Sequence, residues 1–307
     1  MLCVMRRWIA GLAAGLAAGL TLAVAGCQGN AGKAVGLPAE TAPASATSPG
    51  SAPPSGSATP TASASSAKGG PAPSEALTRY IAGAPGTLGL VVRDTVTGST
   101  WQAGDPAHAA WTASTIKLAI ATSLLESDVT LTAGDRDNMR KMLVNSDNDA
   151  TDALWDKFDG VGMIPQFKQR YGMATLAVVS GYRPYWRHLQ CSAADLATVM
   201  AYALAKLPAA DRTQLVGWLK AAAVVQQWGV WAAGSDAGHK PGWAFKPEGN
   251  PDHWVVHSVG FTGTRERYIV AVTYDQPPGR SAKQGAQTVS DVVSLAFGRP
   301  QRQVKGP

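Results

Sequence analysis

The sequence predicts an α/β protein of the α+β kind. It should hold one antiparallel five-stranded sheet, flanked by helices from the two ends of the chain, with an all-helical lobe inserted. Two observations predict this. The hydrophobic periods run helix, two strands, a long helical block, three strands, helix. The composition changes at Ser74, after which aliphatic and aromatic residues continue to about Gly298, enough chain for one domain with a proper core. Strands from the two ends join most simply in one sheet, and a cleft between sheet and lobe is where a site is expected.

Taken in order, Met1 to Cys27 reads as an export signal. Arg6 and Arg7 supply a basic start, Trp8 to Val24 an apolar run, and Val24-Ala25-Gly26 the small residues of a cleavage site. Cys27 directly after them resembles the lipidated cysteine of bacterial lipoproteins. That resemblance implies a membrane-anchored, extracytoplasmic protein. Residues 28–73 are rich in Ala, Ser, Pro and Gly, cannot bury enough to offset their ordering entropy, and read as a disordered tether. Residues 74–300 are the folded domain and 301–307 a tail. The domain is expected as a monomer.

Within the domain, Glu75 to Gly83 reads as a helix. Gly86 to Arg93 and Ser99 to Ala103 form a hairpin across the turn at Asp94-Thr95-Val96-Thr97-Gly98. Ser114 to Glu126 is a helix apolar almost all round, hence buried. The helical block comprises Asp135 to Val144, Asn148 to Phe158, Met163 to Tyr171, Ser192 to Leu207 and Ala209 to Ala222. Strands follow at Gly238 to Trp243, His253 to Phe261 and Arg267 to Tyr274, and Ser281 to Phe297 closes as an amphipathic helix.

The formal net charge is +6, scattered rather than gathered in a stripe with aromatics, so nucleic acid is not a partner the sequence suggests. Cys191 is the one cysteine left in the domain, without a disulfide partner, and reads as a small buried hydrophobe. His253-x-x-x-His257 shares a strand face but lacks a third ligand, so no metal is expected. No phosphate loop or dinucleotide fingerprint occurs, and no cofactor is implied.

Three motifs remain. Ser114-Thr115-Ile116-Lys117 opens a helix, where unpaired N–H groups and the helix dipole surround the serine and an amine lies one turn on. A second Ser-x-x-Lys, Ser65 to Lys68, falls in the low-complexity segment and reads as chance. Ser146-Asp147-Asn148 lies between two predicted helices. Alone it reads as a helix cap with turn residues. Lys240-Pro241-Gly242-Trp243 opens the first returning strand, where glycine permits close approach of a ligand. Singly, each has a structural explanation.

Together, in this order and on these elements, they resemble the penicillin-recognising serine enzymes: class A β-lactamases and the D-alanyl-D-alanine peptidases. With Gln227-Trp228-Gly229-Val230 and Trp254 to Gly260 added, the chain resembles the β-lactamase-related lipoproteins of actinobacteria. The resemblance implies a β-lactamase/transpeptidase-like fold and a serine hydrolase acting on a β-lactam or peptidoglycan stem peptide. It implies Ser114 as nucleophile, Lys117 as the group that takes its proton, and Ser146 with Lys240 nearby as the relay to the leaving nitrogen. Asn148 would bind the substrate's amide side chain. The backbone of Ser114 and Trp243, beside Gly242, would hold the oxyanion.

Two departures bear on the chemistry. Class A β-lactamases carry a deacylating glutamate on a loop between the second and third motifs. This chain has no glutamate between Glu126 and Glu248, and the matching loop, Tyr182 to Cys191, offers His188. Asp195 follows, but Ser192-Ala193-Ala194-Asp195 reads as a capping box. Slow deacylation is therefore expected. Pro241 also replaces the usual Thr or Ser, and removes a donor for a substrate carboxylate. These departures keep open a non-catalytic wall- or ligand-binding module and an esterase on the same scaffold.

Overall fold

A computed structural model describes residues 70–246 and 252–307. Cys27, the export signal and residues 28–69 of the tether lie outside the described residues.

In chain order the elements are α1 (Glu75–Gly83), β1 (Thr87–Asp94), β2 (Thr100–Gly104), β3 (Ala110–Trp111), a 3-10 turn (Ala113–Ile116), α2 (Lys117–Glu126), α3 (Ala133–Val144), α4 (Asn148–Lys157) and α5 (Gly160–Gln169). Then come β4 (Ala177–Val178), a 3-10 turn (Trp186–His188), β5 (Leu189–Cys191), α6 (Ala193–Lys206) and α7 (Ala209–Lys220). Two 3-10 turns (Val224–Gln226, Gly229–Ala233) lead into β6 (Gly238–Lys246), β7 (His253–Thr262), β8 (Tyr268–Asp275) and α8 (Ala282–Ala296).

The expected sheet is present: five antiparallel strands in the order β2-β1-β8-β7-β6. β1 and β8 carry long runs of buried residues because helices cover both faces of the sheet. One core cluster joins Leu90, Val92, Val270 and Val272 to α8 through Val289 and Val293. The other joins Val91, Val259 and Ala271 to the helical lobe through Ile120, Leu196 and Met200. Lobe and sheet thus share one packed face. Thr132 with Asp135, Ser192 with Asp195 and Ser281 with Gln284 all close reciprocal capping boxes; the first starts α3 two residues before the expected Asp135.

A second, small sheet of order β3-β5-β4 was not expected. Its strands have two or three residues, too short to show a period. It matters for the site, because Ala110 pairs with Cys191 and Thr112 N–H donates to Leu189 O at 2.8 Å. The loop ending in β5 is thereby fastened to the residues just before Ser114.

His257 ties the main sheet to the same place. Its Nδ1 accepts from Tyr274 N–H at 3.1 Å, and its Nε2–H donates to Trp111 O at 2.9 Å. That pairing requires the neutral imidazole, and burial pushes its pKa down to about 4. Buried His239 is likewise pushed down, to about 3. Both lie below the ordinary 6.5, so the unfolded chain binds more protons than the folded one across that window. Stability is full above pH 6.5 and falls as pH drops toward 4. We expect the urea midpoint to decline over that range and the decline to be shallower in His257→Gln; a flat profile in the parent protein would refute the assignment.

Candidate active site

The site gathers at the start of α2, the α3–α4 junction and the edge strand β6. Ser114 sits in the 3-10 turn rather than at the first turn of α2, as the sequence had suggested. In a 3-10 turn residues three apart eclipse, so Ser114 and Lys117 still share a side. Ala113 just before it has φ 45°, and Ser146 has φ 58°. Left-handed backbone at a residue with a side chain is costly, and here it falls beside two of the three motifs.

Lys117 is fully buried. Its Nζ donates to Ser146 O at 2.8 Å, Asn148 Oδ1 at 2.8 Å and Asp147 O at 3.3 Å, with Ser146 Oγ at 3.4 Å. Lys240, also fully buried, donates to Ser146 Oγ at 3.0 Å and to Pro241 O at 2.7 Å. One hydroxyl therefore lies between two amines. Burial pushes Lys117 down to about 7, with Arg187 adding repulsion, and pushes Lys240 well below its ordinary value, with Lys117 adding repulsion.

The structure thus brings Lys117, Ser146, Asn148 and Lys240 into one bonded group. It does not join Ser114 to them. Ser114 is partly exposed, and no side-chain hydrogen bond involves its hydroxyl among the described residues. Lys117 gives its N–H groups to the Ser146–Asn148 segment instead. The sequence places the amine near the serine but does not show which acceptors compete for it. Asn148 itself is exposed at the first position of α4. With its oxygen on Lys117, its N–H2 group is left to face solvent.

Gly242 packs against the turn that carries Ser114. A Cβ there would lie 2.7 Å from the backbone nitrogens of both Ser114 and Thr115, so only glycine fits. Trp243 follows, half-buried, its ring 6.0 Å from that of Trp228.

The loop from Tyr182 to Cys191 presents an aromatic wall. Trp186 is buried, and Lys117 Nζ lies 4.8 Å from its ring centroid. The loop is held by Asp152 of α4. This carboxylate accepts from Tyr185 OH at 2.5 Å, Trp186 Nε1 at 2.7 Å and Arg187 Nη2 at 3.2 Å. Sequence reasoning missed Trp186 and Asp152. Asp152 lies four residues after Asn148 on one helix face, which was the available signal.

The alternative bases fare differently. Asp195 is buried in its capping box and accepts twice from Thr175, including a short bond from its hydroxyl. His188 packs its ring near Trp111, Tyr182 and Tyr185, with Nδ1 3.2 Å from Arg183 O. Glu126, at the far end of α2, is engaged by Arg170, Gln166 and Tyr171. Cys191 is buried, and burial pushes its thiol up. His253 bonds Asp275 at 2.6 Å while His257 points to Trp111, and among the described residues no group of three or more His, Cys, Asp or Glu could hold a metal.

Comparison with known proteins follows this geometry. A family profile described as the beta-lactamase enzyme family matches residues 127–298. A search of curated proteins finds no match. Similar solved structures include an ancestral class A beta-lactamase (18% identity, TM-score 0.57), covering 73% of this chain and 98% of that one. A beta-lactamase from Desulfarculus baarsii (18%, 0.56) also covers 73% of this chain and 98% of its own. The class A beta-lactamase from Mycobacterium abscessus (17%, 0.55) gives the same shares, 73% and 98%. At these identities the likeness shows the fold.

The buried lysines give a test of the electrostatics. Both folded values lie below 10.5, so between about pH 7 and the onset of tyrosine ionisation near 10 the unfolded chain binds more protons. Stability should rise with pH across that window. In Lys117→Met/Lys240→Met the rise should flatten; an unchanged slope in urea titrations would show that neither amine is perturbed.

Proposed function

The chain belongs to the beta-lactamase enzyme family and is a serine hydrolase of β-lactamase type, and on that premise we propose that it works through an acyl-enzyme on Ser114 that deacylates slowly. The substrate class is a β-lactam or an acyl-D-alanyl wall peptide. The observation that carries the reading is the Lys117–Ser146–Lys240 group bridged by one hydroxyl beside a partly exposed Ser114.

In this reading Lys117, with a pKa near 7, takes the Ser114 proton as the hydroxyl attacks the substrate carbonyl. It must first release its bonds to Ser146 O and Asn148 Oδ1. Ser146, held between the two amines, passes a proton to the leaving nitrogen. The oxyanion is met by the backbone N–H groups of Ser114 and Trp243, with Gly242 allowing that strand to approach. Asn148 donates its free N–H2 to the substrate's amide carbonyl. Pro241 contributes a carbonyl to Lys240 but no donor, so a substrate carboxylate is held less firmly here.

Slow deacylation follows from the loop. The loop carries no glutamate, and the side chain it lays against Lys117 is the indole of Trp186, which accepts no proton. Lost general-base help is typically worth about 10²–10⁴-fold. A non-catalytic binding module is favoured by the missing loop glutamate, by Pro241 and by the absence of a bond between Lys117 and Ser114 among the described residues. We also place the protein outside the cytoplasm, anchored through lipid on Cys27, from the sequence before it. No helix of the described residues is long and apolar enough to cross a membrane. Cys27→Ser should move the protein from the membrane to the soluble fraction; retention at the membrane would remove the anchor from the proposal.

Intact mass after incubation with penicillin should show a stable adduct that Ser114→Ala lacks. No adduct with the drug intact would transfer the reading to a binding module. Rapid drug destruction without an adduct would refute slow deacylation. The second-order acylation rate should rise with pH through about 7 and level off above it as Lys117 loses its proton. Gly242→Ala should slow acylation by roughly 100-fold or more, the scale of losing one oxyanion donor, while the fold survives.

A further inference from the structure

A cavity of about 730 Å³ lies between the Gln227–Ser235 segment, Ser294 of α8 and residues 299–305. Ligand pockets usually fall near 300–1,000 Å³. None of Ser114, Lys117, Ser146 or Lys240 lines it. Its walls are fixed. Gly229 N–H donates to Ser290 Oγ at 2.7 Å and Val230 N–H to Ser258 Oγ at 3.0 Å. Gln287 of α8 pins the tail, donating to Arg302 O at 2.9 Å and accepting from Val304 N–H at 3.0 Å.

Two features of the lining have no internal purpose. Arg299, Arg302 and Lys305 line the cavity, and among the described residues none has an acidic side chain within ion-pair distance. Trp228, also lining it, is fully buried, yet its indole N–H has no acceptor. A buried donor without a partner is costly and rare. Trp231 adds a second aromatic surface.

We propose that this cavity is a second ligand site, taking a small anion carried on an aromatic ring. The anionic group, a carboxylate, sulfonate or phosphate, meets Arg299 and Arg302, with Lys305 beside them. The ring lies against Trp231, where guanidinium groups at the rim and an apolar floor suit a flat anion. An acceptor on the ligand takes the Trp228 N–H. The site is separate from the acylation chemistry and stands whether or not Ser114 is acylated.

The test is titration of the purified full chain with 2-naphthalenesulfonate, followed by calorimetry and tryptophan fluorescence. One saturable site is expected, weakened by added salt. Arg299→Gln/Arg302→Gln should weaken it about tenfold or more, as should replacing the probe with uncharged 2-naphthalenemethanol. Trp231→Ala should weaken it too, and Lys240→Ala, which removes an amine of the acylation site, should leave it unchanged. Circular dichroism confirms that each variant is folded; the arginines are exposed, and their replacement leaves the core intact. No saturation at millimolar probe, equal binding of the neutral analogue, or sensitivity to Lys240→Ala with indifference to the arginine pair would overturn the proposal.

Discussion

Two amines without exposure to water share one serine hydroxyl, and the rest of the site is arranged around that cost. Neither Lys117 nor Lys240 has a carboxylate as hydrogen-bond partner. Their bonds go to carbonyls, an amide oxygen and Ser146. Uncompensated burial of this kind destabilises a fold and lowers the amines' proton affinity together. The left-handed backbone at Ser146 belongs to the same account, since that residue offers both its carbonyl and its hydroxyl to the lysines. The paired core clusters on the two sheet faces supply the stability that lets such a site persist.

Asp152 shows how a neighbouring carboxylate is kept from quenching this arrangement. It lies on the helix that Asn148 begins, yet its oxygens are taken by Tyr185, Trp186 and Arg187. It orients the loop, and its remaining attraction for Lys117 is outweighed by burial. The loop returns through β5 to Trp111 and so to the turn that carries Ser114, and His257 fixes the same turn from the sheet side. Ser114 is thus positioned from two directions, while its own hydroxyl stays unengaged.

Much of this was legible in residue order. Ala282–Ala296 and Ala193–Lys206 carry long periodic patterns with caps, and the structure places them within a residue or two of expectation. Lys240 on an edge strand and Ser146 at a helical junction follow from flanking elements. The contacts of Trp186 do not, because an aromatic residue in a loop announces burial but not its target. Nor does the competition for Lys117, which depends on a backbone carbonyl at Ser146 that carries no sequence signal. The small sheet is invisible because two-residue strands have no period. The cavity near Trp228 depends on the tail folding back onto Gln287, a long-range contact between two ordinary polar segments.

Pro241 has a consequence of another kind. β6 is the outer strand of its sheet, with one edge unpaired by any strand. An open strand edge is also a template on which another chain can add. Proline interrupts the row of donors on that edge while leaving the pairing with β7 continuous from Gly238 to Lys246. The residue that supplies no donor to a ligand on that edge therefore also protects the chain from growing sheet to sheet.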